Sequence, residues 1–168
     1  RDLLKFEFFF PTKQEFLHRL GAEMDLIAPE WRTVRPTPAW LHDTFVAMSG
    51  ELFARRTLQP FFDAQLVMSR RLVELGEESR EKQEIIADCL GLGKQLALQG
   101  VVKSRDSVST ELYTAAYKLA DNRGLIDPHD GRDLVAARQE WLDEVKDMRD
   151  RLARIAEIEA KQTGVTAV

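Results

Sequence analysis

The three histidines are the first residues to test for acid–base chemistry, because histidine is the side chain that most often moves protons in enzymes. His18 is followed five residues later by Glu23, and this spacing corresponds to about 500° of rotation on a helix, so the two side chains do not share one face well. His42 lies in a helical pattern without a serine or cysteine nucleophile placed to use it. His129 lies in a turn or in a first helical turn. We therefore predict that the chain contains no catalytic residue and that His18 and His129 are exposed.

Metal binding is the next chemistry to test. It requires several His, Cys or carboxylate ligands at a recognisable spacing, and three isolated histidines with a single cysteine do not provide them. Asp127, Asp130 and Asp133, with Gly131 among them, loosely resemble a calcium-binding loop, but their spacing does not match its pattern. Helix capping explains the first two aspartates more simply. The sequence predicts neither a metal site nor a cofactor.

The run GLGK at residues 91–94 resembles part of a phosphate-binding loop. The full pattern needs a glycine five residues before the second glycine and a serine or threonine after the lysine, and Asp88 and Gln95 occupy those positions. Close helix packing through the two glycines is the better interpretation. Cys89 lies in the apolar stripe of the same helix, so we expect a buried side chain rather than a nucleophile.

Two pairs of arginines flank helix faces that are rich in apolar residues. Such a combination can lie on an anionic lipid surface, with the guanidinium groups at the level of the headgroups. The pattern favours the alternative, in which the apolar residues form a core and the arginines pair with nearby acids. The candidates for contact with membrane headgroups are Arg55, Arg56, Arg70 and Arg71.

The composition limits the classes of function. The chain has 168 residues, of which 44% are hydrophobic, and this suits one soluble domain or one piece of a larger protein. Its net charge is −4, so nucleic acid is not an expected partner. A single cysteine excludes an intramolecular disulfide. We find no secretory signal and no apolar run of the roughly 20 residues that span a bilayer, and because the chain starts on Arg1 rather than Met we expect a fragment.

The elements that position these residues are predicted to be helices, with one exception at the start of the chain. Leu3–Phe10 is rich in aromatic residues and alternates with charged ones, so we predict a β-strand. A lone strand leaves its backbone groups unpaired, and we expect this one to pair with an upstream domain outside the chain. Thr12 and Glu15 then form a capping box for a helix whose apolar residues recur at helical spacing, namely Phe16, Leu17, Leu20, Met24 and Ile27.

The middle of the chain is predicted to form helices separated by turns. Residues 28–38 contain three prolines and form a turn or a short extended link, and Pro38 suits the first turn of the next helix. Pro60 should kink or restart that helix, which ends at Gly76. Two further helices follow: one has a charged, solvated start at 77–84, an apolar part at 85–98 and a stop at Gly100, and the other covers residues 107–123.

The last helix has the clearest pattern. Asp127 can cap the helix that follows it, with Pro128 at the first position. One apolar seam has spacings of four, three, four and three among mostly charged residues, and it contains Trp141, Val145, Met148, Leu152 and Ile155. Because the seam covers little more than two heptads, we expect it to dock on its own domain rather than form a long coiled coil. Residues 163–168 are expected to fray.

These patterns predict a mainly α fold, in which residues 1–168 form one helical domain or bundle of about five to six helices with one N-terminal β-strand. Leu3–Phe10 and the helix after it resemble the start of the C-terminal region of bacterial membrane-associated glycerol-3-phosphate 1-acyltransferases, the PlsB-type enzymes. The sequence CLGLGKQLALQG at 89–100 and the segment 112–127, which closes on NRGLID, are similar to later parts of that region. The resemblance covers most of the chain and contains no catalytic signature.

The resemblance implies a function for the parent protein. Members of the family transfer a fatty acyl group from acyl-CoA or acyl-carrier protein to glycerol 3-phosphate, which gives lysophosphatidic acid for phospholipid biosynthesis. Their catalytic motif is H-x-x-x-x-D, and none of the three histidines here has an aspartate at that spacing. The implied role is a non-catalytic region, inactive alone, of an enzyme bound peripherally to the cytoplasmic face of the cell membrane. Its implied partners are its own upstream catalytic domain and an anionic membrane surface.

Two other interpretations stay open at this point. The chain can be a free-standing helical module without enzymatic activity, whose amphipathic faces bind a partner protein. It can also be a compact DNA-binding domain that uses the helix at 107–123 as its reader, although the acidic balance counts against this.

Overall fold

The computed structural model describes residues 1–6, 8, 12–41, 43–44, 53–127 and 133–162. Within these residues, two short 3-10 turns occur at Asp2–Leu4 and Arg105–Ser107. The α-helices there are α1 (Lys13–Ile27), α2 (Pro38–Leu41), α3 (Phe53–Leu75), α4 (Lys82–Leu98), α5 (Thr110–Asn122) and α6 (Leu134–Gln162). The prediction of a mainly α fold with five to six helices is confirmed.

The central helix of the bundle is α3. It packs along α6 and also contacts α4 and α5. Residues 62–69 are buried without exception, so every face of α3 is covered there. A helix that is covered all round lies inside a core rather than on a surface. The other helices of the bundle are therefore arranged around α3.

The apolar seam of α6 faces this core. Trp141 is 2% exposed and Val145 is fully buried, while Met148 and Ile155 pack against the core from its edge. Since α6 packs chiefly on α3, the prediction that the seam docks on its own domain is confirmed.

The predicted strand Leu3–Phe10 is wrong for its described residues, which begin with a 3-10 turn. Leu3 and Leu4 are both buried, whereas neighbouring residues of a strand point to opposite faces. Two backbone carbonyls of this segment have partners inside the chain: the Gln65 side-chain amide donates to the carbonyl of Leu3 at 2.5 Å, and the Phe8 amide donates to that of Leu4 at 3.0 Å. Residues 7 and 9–11 lie outside the described residues.

Pro60 lies inside α3, which runs continuously from Phe53 to Leu75. Of the two predicted outcomes, a restarted helix is therefore wrong. A proline inside a helix removes one amide donor and clashes with the preceding turn, at a cost of about 3 kcal/mol. The helix continues because the stretch that follows is packed on all sides, and tertiary packing supplies most helical stability in proteins.

Several predicted helix ends are confirmed. Gly76 and Gly100 have φ angles of +60° and +71°, a conformation that favours glycine after a helix. Thr12 accepts a hydrogen bond from the amide of Glu15 at 3.2 Å. The carboxylate of Glu15 is bound by Arg19, so the described contacts contain only one arm of the predicted capping box.

The starts of the last two helices differ from the prediction. The cap of α5 is Ser109, which accepts from the amide of Leu112, and the predicted first residue, Ser107, lies in a 3-10 turn instead. For α6 the cap is Asp133, which accepts from the amide of Ala136 at 2.9 Å. Asp127, the predicted cap, instead accepts from the hydroxyl of Ser79. Pro128 and the tail at 163–168 lie outside the described residues.

Candidate functional site

The candidate acid–base and metal-binding residues do not assemble into a reactive centre in the described part of the chain. His18 is exposed on α1, and His42 and His129 lie outside the described residues. No three His, Cys, Asp or Glu side chains converge as metal ligands within the described ranges. The absence of catalytic and metal-binding residues stays a prediction for the whole chain. None of the described helices is long and apolar enough to cross a membrane.

Cys89 is buried in the core, as predicted. Its sulfur lies 3.9 Å from the thioether of Met68. Burial raises the pKa of the Cys89 thiol to about 12, which keeps the side chain neutral at physiological pH. A neutral buried thiol is a poor nucleophile, so Cys89 acts as a small apolar residue of the core.

The two glycines of α4 have different surroundings. A Cβ atom added at Gly93 would lie 2.0 Å from the hydroxyl oxygen of Tyr113, so only glycine lets α5 come this close. At Gly91 an added Cβ would meet no atom of the described residues within 4 Å. The prediction of close helix packing is confirmed for Gly93 and is wrong for Gly91.

The four candidate arginines lie in two separate pairs along α3. Arg55 and Arg56 lie at the start of α3, about 22 Å along the helix from Arg70 and Arg71. Arg71 is largely buried, and its guanidinium binds Asp88 at 2.7 Å. Arg71 therefore takes part in an ion pair between α3 and α4, the alternative that the sequence favoured.

A buried carboxylate on α3, Asp63, organises a network that the sequence analysis missed. One carboxylate oxygen accepts the backbone amides of Lys103 and Ser104, at 2.8 and 2.9 Å. The other accepts from the side chains of Gln59 and Arg149, both at 2.9 Å. Because Asp63 is fully buried, this network fixes the loop before α5 and one arginine of α6 against α3.

A cavity of about 750 Å³ lies beside this network, between the start of α3, the loop after α4 and the C-terminal half of α6. We call it the basic groove, because four of its lining residues are basic and two, Asp150 and Glu157, are acidic. Leu152 and two alanines give one wall an apolar surface. The basic residues that line it are Arg55, Arg56, Lys103 and Arg149.

A buried arginine of α6, Arg138, joins segments at the other end of the bundle. Among the described residues its guanidinium donates only to backbone carbonyls, and burial lowers its pKa. The acceptors are Leu72, Gly76, Glu78, Leu125 and Ile126, at 2.6 to 3.2 Å. Arg138 therefore ties the end of α3 to the loop after α5. A sequence signal existed, since Arg138 lies three residues before Trp141 and continues the apolar seam as a charged residue.

The first helix carries an apolar stripe that the described residues cover only in part. We define the α1 stripe as five residues that fall within about 100° of one another around the helix axis: Phe16, Leu17, Leu20, Met24 and Ile27. Leu17 is 53% exposed and Leu20 is 46% exposed. Only Gly21 of the fifteen residues of α1 is buried. An apolar stripe of this width normally faces a packing partner, whereas here Leu17, Leu20 and Ile27 are exposed and Phe16 and Met24 are half-buried.

The end of α1 is tied to the turn that follows it. Asp25 accepts from the indole of Trp31 at 2.7 Å and pairs with the guanidinium of Arg32 at 3.1 Å. The hydrogen bonds from Arg32 and Trp31 hold the pKa of Asp25 below its ordinary value. These contacts order the helix and its turn while leaving the α1 stripe exposed.

Comparison with known proteins identifies the class to which this helical region belongs. Residues 1–129 match the family described as the glycerol-3-phosphate acyltransferase C-terminal region. The chain belongs to that family, and the resemblance found in the sequence is confirmed.

Individual proteins also show sequence similarity to the chain. Proteins named "Putative acyltransferase plsB1" from Mycobacterium bovis and from two strains of Mycobacterium tuberculosis are 35% identical to the chain over 162 residues. The match covers 96% of this chain and 26% of each relative, so the chain spans about a quarter of their length. No solved structure matches the chain.

Proposed function

We propose that this chain is a non-catalytic C-terminal part of a glycerol-3-phosphate 1-O-acyltransferase and that it docks on the upstream catalytic domain of the same protein through the α1 stripe. The parent enzyme would transfer a fatty acyl group from acyl-CoA or acyl-carrier protein to glycerol 3-phosphate, giving lysophosphatidic acid. Family membership supports this activity for the parent. The lack of an H-x-x-x-x-D sequence in the chain supports placing the chemistry upstream.

The observation that carries the docking proposal is the exposure of the α1 stripe. Leu17 and Leu20 together present their apolar side chains to solvent on one face of α1. Burial of apolar area stabilises an interface by about 25 cal/mol per Å², so covering this face would favour association. The matched relatives are about four times as long as this chain, so their upstream part can supply the cover.

The charge of α1 favours a protein partner over a lipid surface for this stripe. Helices that lie in a membrane interface are rich in lysine and arginine on their polar face. In α1, Lys13 and Arg19 are outnumbered by three acidic residues, namely Glu15, Glu23 and Asp25. An acidic polar face would be repelled by anionic headgroups, so the upstream domain is the occupant to which we commit.

We further propose that the parent enzyme is peripheral to the cytoplasmic face of the cell membrane, with Arg55, Arg56, Arg70 and Arg71 as candidates for headgroup contact. Arg71 is a weak candidate, because Asp88 already binds its guanidinium. Charge reversal at Arg55 and Arg56 should weaken binding of the parent enzyme to vesicles that contain anionic lipid. Unchanged binding would show that these two residues act within the protein.

The first test separates this chain from the parent activity. The 168-residue chain should show no acyl transfer from acyl-CoA to glycerol 3-phosphate, whereas the parent protein that includes the upstream domain should be active. Measurable transfer by the 168 residues alone would overturn the proposal that the chemistry lies upstream.

The second test addresses the docking face. The double variant Leu17→Glu with Leu20→Glu should lower the activity of the parent enzyme and its resistance to proteolysis, because two charges enter the proposed interface. The matched control is Leu26→Glu, on the same helix but outside the stripe, where the side chain is 79% exposed. In the 168-residue chain both variants should change stability by less than about 0.5 kcal/mol, since exposed sites tolerate substitution. Equal effects of the double variant and the control on the parent enzyme would contradict docking through this stripe.

A further inference from the structure

We propose that the basic groove binds the phosphate group of an organic phosphate, with Arg149 and Lys103 as direct ligands. The proposal is independent of docking through the α1 stripe, since the basic groove lies between α3, the loop after α4 and α6. Its cavity of about 750 Å³ is within the range of roughly 300 to 1,000 Å³ that is typical of small-molecule sites.

Contacts within the chain hold the guanidinium of Arg149 in place without a ligand. Its Nε and Nη2 atoms both lie 2.9 Å from the buried carboxylate of Asp63, and Nη2 also donates to the carbonyl of Val101. Among the described residues, the remaining nitrogen, Nη1, has no acceptor. A guanidinium that is fixed at one edge and keeps a donor available fits the oxygen atoms of a phosphate, which arginine binds through planar, directed hydrogen bonds.

The backbone of Lys103 is held by the same carboxylate, because its amide donates to Asp63 at 2.8 Å. Its side chain is exposed and lines the basic groove. Arg55 and Arg56 line the same cavity from α3 and add positive charge to it. This concentration of basic side chains in a chain of net charge −4 favours an anionic ligand.

The apolar wall indicates that the ligand is larger than a bare ion. Leu152, Ala153 and Ala156 line the cavity from α6, and the two alanines are small enough to leave room for an apolar group. A phosphate monoester with an apolar chain would place its phosphate at Arg149 and its chain along this wall. That ligand can be a soluble phosphate ester or the headgroup region of a phospholipid.

Calorimetric titration of the 168-residue chain with octyl phosphate and with inorganic phosphate tests the proposal. Octyl phosphate should bind saturably and more tightly than inorganic phosphate. Lys103→Glu should raise the dissociation constant for octyl phosphate about tenfold, since the loss of one hydrogen bond to a charged group weakens binding by about that factor. The matched control is Lys94→Glu, an exposed lysine of α4 outside the basic groove, which should leave binding unchanged. Absence of saturable binding, or an equal loss in both variants, would overturn the proposal.

Two further binding measurements test the apolar wall and the source of the ligand. Ala153→Leu keeps the charge and fills the apolar wall, so it should weaken octyl phosphate binding more than inorganic phosphate binding; an equal effect on both would overturn the assignment of the wall. Vesicles of phosphatidylcholine with phosphatidic acid identify the source. Competition of these vesicles with octyl phosphate would support a lipid headgroup, and octyl phosphate binding without such competition would support a soluble ester.

Discussion

The first and last described long helices carry similar apolar patterns with opposite outcomes. On α6 the seam lies against α3, where Trp141 is 2% exposed and Val145 is fully buried. On α1 the stripe is as regular, yet Leu17 and Leu20 are about half exposed. The amphipathic pattern therefore indicates that a face needs cover, and it does not indicate whether the same chain provides that cover.

The difference separates residues that hold the bundle together from residues available to another part of the protein. The bundle has its core around α3, its ion pair between the buried Asp63 and the half-buried Arg149, and the carbonyl cluster at Arg138. In contrast, the described polar contacts of α1 are with its own cap, within the helix and with the turn that follows. Substitutions in the two regions should therefore differ in their effect on the isolated chain.

The largest expected difference is in thiol reactivity. At pH 8, Cys89 should react with iodoacetamide about a thousandfold more slowly than an exposed cysteine, because burial raises its pKa from 9.0 to about 12. The comparison is Leu20→Cys in a Cys89→Ala background, which places the only thiol on the α1 stripe. Rates should become equal in denaturant. Comparable rates in the native proteins would show that the core around Cys89 is open.

The same shift gives a pH dependence of stability. Folding keeps the thiol of Cys89 protonated, whereas the unfolded chain loses that proton as pH rises through 9.0. The unfolded state then binds fewer protons than the native state, so the contribution of Cys89 makes stability fall above that pH. Cys89→Ala should remove this part of the decline in alkaline denaturation curves.

The next effect is on stability. Trp141→Ala should lower the free energy of unfolding of the 168-residue chain by about 4 kcal/mol, because it removes a large side chain from a packed core. Leu20→Ala should cost less than about 0.5 kcal/mol, since Leu20 lies on the exposed stripe. Urea denaturation measures both. Similar losses would mean that α1 is packed into the bundle.

Arg138→Leu should cost about 3 kcal/mol, because carbonyls at the end of α3 and after α5 lose a shared donor. Arg151→Leu is the control on the same helix, where an exposed arginine pairs with Asp147, and it should change stability by less than about 1 kcal/mol. Equal stabilities of the two variants in urea denaturation would show that Arg138 does not join these segments.

The smallest of the stability effects concerns the glycines. Gly93→Ala should cost about 2 kcal/mol, because its Cβ would overlap the hydroxyl of Tyr113. Gly21→Ala on α1 should be close to neutral, since among the described residues its Cβ would meet only the end of the flexible Arg32 side chain, at 3.3 Å. Adding Tyr113→Phe to Gly93→Ala should recover most of the loss in thermal melts. No recovery would place the strain elsewhere.

The fold could be predicted largely from local patterns. The seam of α6 and the stops at Gly76 and Gly100 are encoded within a few residues of sequence, so periodicity and glycine placement predict them. The strand at Leu3–Phe10 was mispredicted because its aromatic composition favours a strand, whereas contacts with the distant α3 favour a buried turn. Tertiary contacts therefore overrode local propensity at the start of the chain.

The sites were harder to predict because they depend on distant pairs. Asp63 and Arg149 are separated by 86 positions, and no spacing rule connects them. Arg55 and Arg56 were predicted as candidates for headgroup contact, but the cavity they line is completed by Lys103 and Arg149, which belong to no sequence motif. Arg138 alone had a local signal, as a charged residue in an apolar seam.

Hydrogen–deuterium exchange in the 168-residue chain and in the parent protein tests the central claim most directly. The amides of α6 should be protected in both, since its seam is covered within the chain. The amides of α1 should exchange rapidly in the 168-residue chain and become protected in the parent protein, where the upstream domain would cover the α1 stripe. Equally rapid exchange of α1 in both proteins would contradict docking through this face.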